Sequence, residues 1–79
     1  MAKVIVYSTA TCPYCYTLKA YLEDHQIPFE DIDVAADEKA REDMVKKSGQ
    51  MGVPVTDIDG QIIIGFDRQK ISELLNIKE

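Results

Sequence analysis

The chain has 79 residues, 46% of them hydrophobic and 29% charged, with a formal net charge of −5. That length allows one small domain, burying only about 60% of its unfolded surface, so a single domain over residues 1–79 is expected. An acidic chain whose longest basic run is Lys46-Lys47 offers no face for nucleic acid. No apolar stretch approaches the ~18 residues of a membrane span, and the N-terminus lacks a signal-peptide core, so a cytoplasmic protein with no membrane partner is expected.

Val4-Ile5-Val6-Tyr7 is a near-continuous β-branched and aromatic run, which predicts a strand from Lys3 to Ser8 covered on both faces. Thr9-Ala10-Thr11 then forms a short loop, with Thr11 as the expected N-cap of the next element. From Pro13 to Asp24 the pattern is helical: Cys15, Leu18 and Leu22 recur at spacings of three and four, with Lys19, Glu23 and Asp24 largely off that face. Tyr14 is expected to be exposed, and Tyr16 and Tyr21 to pack on the flanks with solvated hydroxyls. His25 falls at the helix end, about 18 Å from Cys12, where it complements the helix dipole rather than taking part in chemistry there.

Both cysteines of the chain lie in Cys12-Pro13-Tyr14-Cys15. The strand–helix order puts Cys12 at the helix N-terminus, where unpaired backbone N–H groups and the dipole favour a thiolate. Pro13 suits the first helical turn because its missing N–H costs nothing there. Cys15 follows one turn later, close enough to close a disulfide. A purely structural disulfide would enclose too small a loop to constrain the unfolded chain much. Zinc needs about four ligands, and beyond this pair the chain offers only His25 and carboxylates, so no metal site is expected. Thiol–disulfide exchange is the chemistry these four residues suit.

Ile27-Pro28 breaks the helix, and Phe29 to Val34 reads as an edge strand blunted by acids. Asp37 to Ser48 is a second helix with Asp37 as N-cap, Ala40 and Met44 on its apolar face, and Gly49 as its stop. Val55 to Ile58 and Gln61 to Ile64 flank Asp59-Gly60, a two-residue hairpin signal. Asp67 caps a last helix whose buried stripe is Ile71, Leu74 and Leu75.

The cysteine helix, Val53-Pro54 and the hairpin ending in Gly65-Phe66-Asp67 together resemble the glutaredoxin family over essentially the whole chain. The resemblance implies an α/β thioredoxin fold, a four-stranded mixed sheet of order 2-1-3-4 flanked by three helices. It implies a thiol–disulfide oxidoreductase with Cys12 as nucleophile and Cys15 as resolving thiol. Its partners would be disulfide-containing or glutathionylated proteins and a reductase, the chain itself being a monomer. No cofactor would be bound; glutathione would be the co-substrate. Pro54 would follow a cis peptide bond, turning the Val53 backbone toward Cys12 to pair with an extended peptide. Gly65, Phe66 and Asp67 would bind the γ-glutamyl carboxylate at a helix N-terminus. Thr11, Tyr14, Arg41, Val53 and Pro54 would complete the glutathione site, with Arg41 toward the glycyl carboxylate.

Several positions depart from that pattern. Thr9 stands where many members carry a lysine or arginine, Ile64 where a first glycine is common, Gly52 for a threonine and Met51 for an arginine. Gly65-Phe66 and Thr9 lean toward the NrdH-type redoxins, which are reduced by thioredoxin reductase. A further alternative, an iron–sulfur cluster held between two chains by Cys12 and glutathione, is disfavoured by Pro13.

Overall fold

A computed structural model of the chain describes residues 3–50 and 52–77; Met51, among the departures above, lies outside the described residues. The elements in order are β1 (Val4–Ser8), α1 (Pro13–Asp24), β2 (Glu30–Asp33), α2 (Glu38–Ser48), β3 (Val55–Ile58), β4 (Gln61–Ile64) and α3 (Arg68–Leu75). They form one sheet in the order β2-β1-β3-β4. β2 runs parallel to β1, and β3 and β4 are antiparallel to their neighbours. This is the mixed 2-1-3-4 sheet expected, with three helices on it.

The period of a strand sorts β1 onto two cores. Val4 and Val6 pack with Leu18, Leu22, Ile58, Ile63 and Ile71 beneath α1 and α3. Tyr7 packs on the opposite face with Val34, Ala40, Met44 and Val55 beneath α2. Alternate residues of a pleated strand point to opposite faces, so a run with no polar residue must be covered twice.

Local signals account for most of the boundaries. Asp37 accepts the Ala40 N–H, capping α2, and Gly49 ends that helix at φ 75°. Asp59 and Gly60 both have positive φ, 51° and 90°, the conformation a two-residue hairpin of this hand requires. β2 is shorter than the predicted Phe29–Val34 segment, and it is an edge strand as expected. Its acids have partners. Asp33 accepts the Ala35 and Ala36 N–H groups to turn the chain toward α2, and Asp31 reaches Lys19.

On β3 the buried Asp57 accepts the Gly60 N–H at 2.7 Å, bracing the hairpin, and pairs with Lys47 at 3.0 Å. Lys47 also donates to the Tyr7 hydroxyl, and these two hydrogen bonds, Tyr7 first, push its ammonium up to about 12.

Thr56, fully buried on the α1–α3 side of β3 opposite Val6 and Ile63, has a hydroxyl with no partner among the described residues. A buried polar group without a hydrogen bond costs stability, and valine has the same shape without the hydroxyl. Thr56→Val is therefore expected to stabilise the fold by about 1 kcal/mol, seen as a rise in Tm of about 5 °C. A fall in Tm would show that the hydroxyl is satisfied in solution.

Candidate active site

The site is built where the C-terminal end of β1 meets the start of α1. Pro13 is the first helical residue, and a residue before proline is driven out of the helical region, so Cys12 is extended at φ −96°, ψ 109°. Cys12 is thereby the N-cap itself, correcting the assignment to Thr11, which lies one residue too early. Its sulfur accepts the Cys15 N–H at 3.3 Å, so the nucleophile candidate supplies its own helix cap. Cys12 is half-buried and Cys15 fully buried, and both are free thiols.

Cys12 also lies 3.9 Å from the Val53 carbonyl, to which its thiol donates. The Val53–Pro54 bond is cis, as the resemblance implies. The Pro54 carbonyl accepts the Gly65 N–H at 2.8 Å, so the segment entering α3 is tied to the Val53-Pro54 loop. Cys12, Val53, Pro54 and Gly65 thus form one contiguous group assembled from a helix start and two loop segments.

The other predicted residues are placed differently. Thr11 and Tyr14 flank Cys12 in the chain and are exposed, Tyr14 at 68%. Asp67 caps α3 by accepting the Lys70 N–H at 3.1 Å. Phe66 turns its ring into the α1–α3 core, edge-on to Tyr21 with centroids 5.8 Å apart, which leaves its backbone as the part able to bind a ligand. Arg41 is on an exposed face of α2 with its guanidinium 4.0 Å from Glu38. Tyr16 is exposed, and its hydroxyl donates to the Ala10 carbonyl at 2.7 Å rather than only to solvent, which pins the loop before Cys12.

The two cysteines differ in chemistry because they differ in surroundings. Burial, then its hydrogen bond with Cys12, pushes the Cys15 thiol up to about 11; the Thr9 backbone and the Lys19 ammonium oppose this only in part. At neutral pH Cys15 holds its proton. An accessible sulfur at a helix N-terminus beside a buried, protonated one is the division of labour that dithiol exchange needs.

Sequence reasoning did not assign three polar residues near this site. Ser8, Asp31 and Lys19 form a connected set that ties β1, β2 and α1 together. The one signal for it in the sequence is the spacing of Lys19, four residues after Cys15 on the same helix.

A thioredoxin-type sheet with a Cys-x-x-Cys pair at the start of its first helix defines a class, the small dithiol redox proteins. Within that class, the glutaredoxin family model matches residues 4–63, and the chain belongs to that family. The chain is 50% identical over 70 residues to a glutaredoxin-like 8.6 kDa protein in the rubredoxin operon of Clostridium pasteurianum, covering 89% of this chain and 93% of the relative. It is 40% identical over 67 residues to glutaredoxin 3 of Escherichia coli K12, covering 85% and 81% of the two chains. The solved glutaredoxin (grx-1) from Archaeoglobus fulgidus superposes with a TM-score of 0.85 at 29% identity, over 95% of this chain and 87% of that one. The chain is a thiol–disulfide oxidoreductase of the glutaredoxin type. No helix among the described residues is long and apolar enough to cross a membrane.

Proposed function

We propose that the chain reduces protein disulfides and glutathione mixed disulfides, with glutathione as its electron source. The observation that carries this reading is the contiguity of Cys12, the Val53 carbonyl and the Gly65–Asp67 segment. An extended peptide laid along Val53 would present its disulfide to the Cys12 sulfur, and a carboxylate at its end would meet the N-terminus of α3.

In that reaction the Cys12 thiolate attacks one sulfur of the substrate disulfide. The S–S bond breaks, the leaving thiolate takes a proton, and a mixed disulfide remains on Cys12. Either Cys15 attacks the Cys12 sulfur, forming the internal disulfide and releasing the second substrate thiol, or a glutathione thiol attacks the outer sulfur of the mixed disulfide, forming a new disulfide with it and releasing free Cys12. Two electrons pass from the thiol pair to the substrate in each cycle. A thiol pair that must be renewed by a glutathione pool works in a reducing compartment, so we assign the chain to the cytoplasm.

One observation favours a second reading. The half-buried Thr9, three residues before Cys12, brings no positive charge to meet a glutathione carboxylate. One missing ionic hydrogen bond is worth roughly 1.5–3 kcal/mol, or about ten- to hundredfold in affinity. The second reading is a redoxin fed by thioredoxin reductase. The two separate when the oxidised protein is incubated with NADPH and either glutathione plus glutathione reductase or thioredoxin reductase alone. Reduction by the glutathione pair is the result expected here; reduction by thioredoxin reductase only would replace the first reading with the second.

A further inference from the structure

Lys19 is held more firmly than a helix lysine usually is. Its ammonium lies 3.0 Å from Asp31 on β2 and 5.2 Å from the centre of the Tyr16 ring, and its side chain is only 18% exposed. The other carboxylate oxygen of Asp31 accepts the Ser8 hydroxyl at 2.7 Å, and Ser8 is buried at the end of β1. Three elements therefore converge to fix one positive charge. Lys19 stands one turn beyond Cys15 along α1, the spacing at which two side chains of a helix are neighbours.

The groups around Cys15 are Cys12 at the helix start, the Thr9 backbone after β1 and Lys19. Around Lys19 itself stand Asp31 from β2, and Tyr16 and Glu23 from its own helix, all lining one groove between α1 and β2. Within this set Lys19 is the cation, one helical turn from a sulfur that must become an anion, and its partner Asp31 offsets part of its charge.

We propose that Lys19, fixed by Asp31 and Ser8, is a positioning residue for the resolving step, stabilising the negative charge that forms on the Cys15 sulfur. The inference rests on the reading of Cys15 as the resolving thiol. In that step Cys15 gives its proton to water and its sulfur attacks the Cys12 sulfur. The bond from Cys12 to the substrate sulfur breaks, and the released thiolate takes a proton from solvent. The protein dithiol is oxidised and the substrate is reduced. The nearby ammonium offsets part of the cost that burial imposes on the Cys15 anion.

The direct test uses the Cys12→Ser background, where Cys15 is the only thiol and the rate of its alkylation by iodoacetamide at pH 7 to 8 follows its thiolate population. Adding Lys19→Met should slow that alkylation about two- to fourfold, and adding Lys19→Arg should leave it nearly unchanged. In the chain with both cysteines, Lys19→Met should slow collapse of a preformed Cys12 mixed disulfide about two- to threefold at neutral pH. The drop is smaller than the loss of thiolate because a more basic thiolate is also the better nucleophile. A lysine with only a structural role would lower Tm and leave the alkylation rate where it was, and that result would overturn the proposal. Collapse as fast in Cys15→Ser as in the parent chain would instead overturn the resolving role of Cys15, and the proposal with it, whatever the alkylation rates gave.

Discussion

Cys12→Ser is expected to abolish thiol–disulfide exchange with every acceptor, a loss of at least about a thousandfold, whereas Cys15→Ser keeps the reactions that glutathione can resolve. The asymmetry follows from where the sulfurs lie. Cys12 is the accessible one, extended ahead of Pro13 and capping the helix through the Cys15 N–H. Cys15 is buried and holds its proton, so an incoming disulfide does not reach it. In the reaction proposed above, its use begins only after a mixed disulfide has formed on Cys12, one turn away. Steady-state assays with a glutathione mixed disulfide and with a protein disulfide separate the two roles. Equal and complete loss in both variants, with both substrates, would mean that glutathione resolves nothing here.

The raised Cys15 thiol also ties the stability of the reduced protein to pH. Its value moves from the ordinary 9.0 up to about 11, chiefly through burial. Below pH 9 the folded and unfolded chains both keep the proton, and the stabilising contribution is fully present. As pH rises from 9 toward 11 the unfolded chain gives up the proton first, so that contribution is lost. The loss is on the order of 2 kcal/mol. It is measured as the difference in unfolding free energy between the reduced wild type and reduced Cys15→Ala at each pH. Lys47, whose ammonium is pushed up to about 12, titrates alike in both proteins and cancels. An advantage for the wild type that shrinks between pH 9 and 11 is the predicted result. A difference that stays constant over that range would contradict it.

What could be read from the sequence was local. Pro13 to Asp24 was legible end to end because Cys15, Leu18 and Leu22 mark one helical face and Pro13 fixes its start. The hairpin was legible because Asp59 and Gly60 suit positive φ, and the caps at Asp37 and Asp67 because a carboxylate three residues before a free N–H closes a short ring. The strand order and the cis bond before Pro54 came from the family resemblance and from no local signal. Thr11 was misassigned because Thr is the better cap by residue type, and the restriction Pro13 places on Cys12 overrides type.

The illegible part was tertiary. Asp31 reads as an acid guarding an edge strand, and only the parallel pairing of β1 with β2 brings it to Ser8 and Lys19. Asp57, within the Val55–Ile58 strand, gained no role from the sequence, since its partner Lys47 reaches it only in the folded chain. The unpartnered hydroxyl of Thr56 is likewise invisible until its neighbours are in place.

The measurement that tests the account most directly is the intact mass of the reduced protein after brief exposure to glutathione disulfide. Cys15→Ser should carry one glutathione, mapped to Cys12, while the wild type passes through that adduct and ends as the Cys12–Cys15 disulfide with no glutathione retained. A wild type that keeps a stable adduct on Cys15, or a Cys15→Ser protein that takes up none, would contradict it.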